Sequence, residues 1–207
     1  MTQSDTHHLD AIVLAAGRGV RFGGGKLVAL LDDAPLVAGA ILTASLASTR
    51  AIVVAVGPDP VVRNAVQATA ARLPAPDRLS LAPVEDPAAG MGASLAAAAR
   101  CLPDDSAGVF VFLGDMPRID PATPNRLAAR LRDGGEIIAP AHLGRRGHPV
   151  LFGGNWLTAL RELSGDEGAR AILDRATDRL ILVPVDDPGV HLDVDHPSDL
   201  DRVRLGL

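Results

Sequence analysis

A short apolar run, Ile12-Val13-Leu14-Ala15-Ala16, passes directly into Gly17-Arg18-Gly19-Val20-Arg21-Phe22-Gly23-Gly24-Gly25-Lys26, with five glycines in nine residues. The apolar run reads as a buried strand. Glycine tolerates positive φ and lets the backbone come close to a ligand. Successive backbone N–H groups in such a loop, with cations nearby, make an anion nest. The natural guest is a polyphosphate. Lys26 sharpens the reading, because it is the only lysine among 20 basic residues. A chain that uses arginine everywhere else has lysine where a compact point charge suits phosphate better than a planar fork.

The loop excludes two common templates. A Walker A loop needs Gly where Val20 stands, and Ser or Thr where Leu27 stands. A dinucleotide fingerprint starting at Gly17 and Gly19 needs Gly where Phe22 stands. The pattern is thus neither that of a P-loop ATPase nor that of a standard Rossmann dehydrogenase.

Downstream, β-branched or apolar runs alternate with helical stretches. Strands are expected at Ala51–Val56, Leu79–Val84, Gly108–Leu113, Glu136–Ala139 and Leu180–Val185. Helices are expected at Pro35–Leu46, Val61–Leu73, Pro121–Leu131, Asn155–Glu162 and Ala171–Ala176, with a helix of alanines after the 85–95 loop lasting to about Cys101 and a last one ending near Arg204. This alternation is the mark of an α/β class with a mostly parallel sheet. The 207 residues are enough for one substantial core, and no composition break divides 11–207. Residues 1–10 read as a disordered polar tail, with His7 and His8 solvated. A net charge of −5 gives no general attraction to nucleic acid. No apolar run reaches the roughly 20 residues of a membrane span, and a single cysteine fits the reducing cytoplasm.

Four further segments carry candidate chemistry. Asp86, Gly90 and Ser94 lie in a loop entering an alanine-rich helix. It is either a plain helix cap or an N-terminus offered to an anion. Asp115, in Gly114-Asp115-Met116-Pro117, ends an apolar strand. It is a turn aspartate, or one of the one or two protein carboxylates that a nucleotide's magnesium takes. Arg146 and His148, between Gly144 and Pro149, form a basic turn or a second anion site; Asp166 and Arg170 open a later helix, as cap and ion-pair partner or as substrate contacts. Asp193 and Asp195 alternate onto one side of an extended segment. Two like charges so close are costly without a cation.

Leu14-Ala15-Ala16-Gly17, Arg21, Gly23 and Lys26 resemble the nucleotidyltransferase signature Leu-Ala-Ala-Gly, a few residues, Arg-x-Gly-x-x-Lys, with Phe22 replacing the usual Met. Gly90-Met91 with Ser94-Leu95, Gly114-Asp115-Met116-Pro117 and the closing Asp-x-Asp-x-Pro-x-Asp-Leu at 193–200 are similar to further segments of those enzymes. The family carries Asn shortly before the Gly-Met segment, where this chain has Asp86. Arg146-Gly147-His148-Pro149-Val150 resembles the molybdenum-cofactor cytidylyltransferases in particular.

The resemblance implies a Rossmann-like three-layer α/β/α fold of glycosyltransferase-A type. It implies nucleotide binding by Leu14, Ala15, Ala16, Gly17, Gly19, Arg21, Lys26, Asp86, Gly90 and Ser94, with Arg21, Lys26 and Asp115 as the catalytic set. It further implies Mg2+ or Mn2+ on Asp115 with Asp195 or Asp193, and an acceptor met by Arg146, His148, Asp166 and Arg170. The implied reaction moves CMP from CTP to the phosphate of molybdopterin, with pyrophosphate released and a molybdoenzyme receiving the product. The Ala15-Ala16-Gly17 form favours CTP, since the guanylyltransferase relatives carry Ala-Gly-Gly. The rivals are a guanylyltransferase, a sugar-phosphate nucleotidyltransferase, a non-catalytic nucleotide- or cofactor-binding module, and an NAD(P)-dependent oxidoreductase.

Overall fold

The computed structural model describes residues 8–47 and 49–205. His7 and the rest of residues 1–7 lie outside that range; His8 is exposed. The strands are β1 (Leu9–Ala15), β2 (Leu30–Leu31), β3 (Ala34–Pro35), β4 (Thr49–Val56), β5 (Leu79–Pro83), β6 (Gly108–Leu113), β7 (Ile137–His142), β8 (Arg145–Arg146), β9 (Val150–Gly153) and β10 (Leu180–Pro184). The helices are α1 (Leu36–Leu46), α2 (Pro60–Ala70), α3 (Met91–Arg100), α4 (Ala122–Ala128), α5 (Leu157–Arg161), α6 (Arg170–Arg175) and α7 (Asp199–Leu205).

The main sheet runs β10-β7-β9-β6-β1-β4-β5, with β8 paired to β7. β1, β4, β5 and β6 are mutually parallel, as are β7 and β10. β9 is antiparallel to both of its neighbours, β6 and β7. The sequence pattern did not mark β9, which is four apolar residues behind the charged turn 144–149. The strand supplies the missing rung between two strands that are consecutive among the long strands yet do not touch.

The central strands are continuous apolar runs because helices cover both faces. Ala11, Val13, Ile52, Val54, Phe110 and Phe112 point to α1, α2 and α4. Ile12, Val53, Val109 and Val111 point to α3, α5 and α6. Burying such a side chain stabilises by about 1.5–3 kcal/mol, so each alternate residue fixes the register. The result is the three-layer α/β/α arrangement expected from the sequence. No helix among the described residues is long and apolar enough to cross a membrane.

β1 begins at Leu9, inside the segment expected to be a tail, and Asp10 is wholly buried. The reason is electrostatic. The Asp10 carboxylate accepts from Arg50 Nη2 at 2.9 Å and from the Ala51 N–H at 3.0 Å.

Candidate active site

β1 is flanked by β4 on one side and β6 on the other. The chain therefore changes direction at the carboxyl end of β1, where α/β sheets open a crevice for ligands. The glycine loop fills that position. Gly19, Gly23, Gly24 and Gly25 all have positive φ, between 56° and 96°. The Gly24 N–H donates to the Gly19 carbonyl at 3.1 Å and closes the loop. A Cβ on Gly19 would stand 2.9 Å from the Lys26 Cβ, so glycine is what admits the lysine. Phe22 packs against Leu31, Leu36, Leu192, Val194 and Val203, tying the loop to the segment that carries Asp193 and Asp195.

Lys26 is the hub. Its Nζ donates to Asp115 Oδ2 at 2.7 Å and to Asp195 Oδ1 at 3.2 Å, with only 11% of its side chain exposed. Arg21 Nη1 reaches Asp195 Oδ2 at 3.1 Å from a far more exposed position. Burial alone would lower the Lys26 pKa; the charge and hydrogen bond of Asp115, then those of Asp195, outweigh it and the net is upward. Lys26 therefore stays protonated at physiological pH.

The Val194 N–H donates to the Asp115 carbonyl at 3.1 Å, which holds the two acidic segments side by side. Val194 is buried while Asp193 is exposed, as alternation requires. The Asp193 carboxyl is nonetheless partly desolvated; that, and then the nearby Asp115 and Asp195 charges, raise its pKa, with its own backbone N–H and Lys26 opposing. Asp199, at the start of α7, accepts from the His196 N–H at 2.7 Å and the Asp195 N–H at 2.9 Å. Those two bonds hold its carboxyl below the usual range and fix the backbone that presents Asp195.

Among the described residues no three or more His, Cys, Asp or Glu side chains converge into a metal cage. Asp115 and Asp195 nevertheless fit a nucleotide's divalent cation. Such a cation takes one or two carboxylates and fills its remaining positions with water and phosphate. The two carboxylates here already share one cationic group.

Beside this centre lies a cleft of about 660 Å³. Ala15, Ala16, Gly17, Arg18 and Gly24 to Leu27 form one wall, and Asp86 to Ala88 another. A third wall, Gly57 to Pro60 with Val62, was not foreseen. The available signal was Gly-Pro-Asp-Pro following a β-branched run, at the end of a strand parallel to β1. Asp59 and Asp86 each spend one carboxylate oxygen on a local N–H, from Val61 at 2.8 Å and Ala88 at 2.9 Å. The Leu14 carbonyl accepts from the Gly114 N–H at 2.9 Å and so links β1 to the Asp115 turn.

Other expected residues lie off the cleft wall. Gly90 and Gly92 serve a close approach. A Cβ on Gly90 would meet the Gly165 carbonyl at 2.3 Å, and the Gly92 N–H donates to that carbonyl at 2.8 Å. Ser94 is buried and its hydroxyl donates to the Gly90 carbonyl at 3.2 Å. Asp166 lies against Gly90, and the exposed Arg170 faces Asp174 one turn on at 3.7 Å. Arg146 is exposed on β8, and two residues on, His148 has its Nδ1 enclosed and without a hydrogen-bond partner among the described residues. Burial, then the Arg146 charge and His191, push the His148 pKa down to about 4 against the pull of Asp115. Its imidazole is neutral at physiological pH.

Comparison with known proteins gives the same picture. The chain matches the MobA-like NTP transferase domain over residues 11–191. It is 26% identical over 202 residues to the purine catabolism protein PucB of Bacillus subtilis (strain 168), covering 97% of this chain and 98% of that one. A homologue of Mycobacterium tuberculosis Rv0371c from Mycobacterium sp. strain JC1 superposes with a TM-score of 0.77 at 26% identity, covering 95% of each chain. Rv0371c of M. tuberculosis H37Rv in complex with manganese superposes with a TM-score of 0.72 at 27% identity, covering 97% of this chain and all 100% of that one. On its loop, its sheet and this match across most of its length, the chain belongs to the MobA-like NTP transferase family and is built as a nucleotidyltransferase.

Proposed function

We propose that this protein transfers CMP from CTP to the phosphate of a molybdopterin-type acceptor and releases pyrophosphate, in the cytoplasm. The observation that carries the reading is Lys26 held between Asp115 and Asp195 at the edge of the glycine-lined cleft. The triphosphate lies on the glycine loop, where backbone N–H groups, Lys26 and Arg21 meet its charge. Leu14 to Gly19 and Asp86 hold the nucleoside, while Gly90 and Ser94 support that wall from behind. An Mg2+ or Mn2+ ion on Asp115 with Asp195 or Asp193 would supply further positive charge for the phosphate oxygens. The manganese complex of the Rv0371c relative supports a divalent ion of this kind.

Arg146 is the charged contact for the acceptor phosphate, and the neutral His148 positions the acceptor by hydrogen bonding. Asp166 and Arg170 contact the acceptor's distal part. An acceptor phosphate oxygen attacks the α-phosphorus, a new O–P bond forms and the bond to pyrophosphate breaks. No side-chain base is required, since a phosphate monoester has its second pKa at about 6 and is already ionised. Catalysis is then positioning and electrostatic stabilisation.

Pyrophosphate release with CTP, GTP, ATP and UTP, each with molybdopterin and a divalent cation, tests the proposal. CTP should be preferred. A GTP preference would keep the chemistry and change the base, turnover only with a sugar phosphate would change the acceptor, and no release with any pair would sink the transferase reading of this chain. Asp115→Ala should abolish turnover, measured by the same assay, while circular dichroism stays unchanged. Lys26→Ala should weaken CTP binding by about 1.5–3 kcal/mol, the worth of a charge-assisted hydrogen bond, read by calorimetry.

A further inference from the structure

We propose that Lys26 also gates the metal position. Its ammonium fills the gap between Asp115 and Asp195 until a triphosphate draws it away, so the divalent cation enters with or after the nucleotide and not before. The inference rests on the metal assignment made under Proposed function and adds an order of events to it.

The distances carry it. One ammonium sits 2.7 Å from Asp115 Oδ2 and 3.2 Å from Asp195 Oδ1. A divalent ion bound to both oxygens would need the same space, at metal–oxygen distances of about 2.1 Å. It would also face a like charge held in a site where Lys26 is 11% exposed and Asp115 23% exposed. Water screens the Asp115 side weakly and the Asp195 side, 39% exposed, more strongly, so the repulsion is felt most at Asp115. Arg21 adds a second counter-charge on Asp195, at 3.1 Å. The free site therefore has its negative charge answered twice from within the chain.

A triphosphate changes the balance. It brings oxygen acceptors to the loop from which Lys26 projects, and the lysine's four-carbon stem lets the ammonium turn to them. Two carboxylates are then left without their cation, which is the state that attracts a metal. Nucleotide and metal would thus bind with positive coupling, and the coupling is reciprocal. The gate also keeps the acidic pair from collecting a metal ion in the absence of substrate.

The test is Mn2+ binding to the full chain without nucleotide, read by the electron paramagnetic resonance of free Mn2+. Lys26→Met keeps the aliphatic stem and removes the charge. It should bind Mn2+ at least about tenfold more tightly than the parent, a modest expectation for removing a like charge a few ångströms away. Adding Asp115→Asn to that variant should reverse the gain. An affinity of Lys26→Met equal to or below the parent's would overturn the gate. So would a gain that survives Asp115→Asn, since the ion would then be bound elsewhere.

Should Lys26→Met fail to fold, Arg21→Ala serves instead. Its side chain is 74% exposed, and it should shift Mn2+ affinity in the same direction by less; no shift would count against the gate. Repeating the parent titration with CTP separates the two hypotheses. If CTP induces Asp115-dependent Mn2+ binding while Lys26→Met gains nothing, only the gate falls. If Mn2+ binds neither with CTP nor in the variant, the metal assignment falls with it.

Discussion

His148 shows how far one residue's chemistry depends on its surroundings. As a lone histidine beside two arginines it reads as a phosphate contact, but burial and the neighbouring Arg146 hold it neutral, with a pKa of about 4. Unfolded, the same ring would titrate near 6.5. Between those values the unfolded chain binds more protons than the folded one, so stability should fall as pH drops from about 6.5 to about 4. His148→Gln should flatten that part of the profile, measured by urea denaturation at a series of pH values. Lys26 and Asp115 were legible in the sequence because each sits at a fixed step in a spaced motif. Ser94 was legible as a motif position, yet its hydroxyl goes to the Gly90 carbonyl. That carbonyl lies four residues back, so the bond is the local back-bond a helical serine makes to its own helix, and the motif alone does not show which way the hydroxyl turns.

At the scale of elements, α1 and the turn that carries Asp115 are pressed together. A Cβ on Gly39 would meet the Pro117 carbonyl at 2.4 Å and the Pro117 Cα at 2.6 Å. Gly39→Ala should therefore cost about 1–3 kcal/mol, as overpacking does. It should reduce pyrophosphate release by more than the lost stability explains, because the turn must move and Asp115 with it. Denaturation and turnover measured on one preparation would separate the two effects. The central parallel strands could be read from the sequence because Ala11–Ala15, Ala51–Val56 and Val109–Leu113 are apolar runs with both faces covered. β9 could not, because Val150–Gly153 is too short to show a period, and its direction is set by the gap between β6 and β7. Gly57-Pro58-Asp59-Pro60 shows in the sequence only as a turn after a strand, and it is the strand order that puts it beside the glycine loop.

For the molecule as a whole, the sheet separates an end that holds structure from an end that holds chemistry. Asp10 lies at the start of β1, with Arg50 bonding to it and also reaching Asp105 at 2.9 Å. The cleft lies past the other end of the same strand. Arg50→Ala leaves a buried carboxylate without its cation and should destabilise by about 3–5 kcal/mol. CTP affinity, measured by calorimetry below the melting temperature, should be unchanged. A loss of affinity matching the loss of stability would show that the two ends are coupled through β1.

The place of β9 in the sheet has a consequence for synthesis on the ribosome. By Asp115 the nascent chain holds β1, β4, β5 and β6, and with them Lys26. Its β6 edge stays open until Val150–Gly153 emerges, although β7 has already been made. Synthesis adds roughly 5–20 residues each second, so Lys26 and Asp115 are both present for some seconds before Asp193 and Asp195 exist. Asp193 and Asp195, translated later, then dock onto a neutralised pair rather than against a bare like charge.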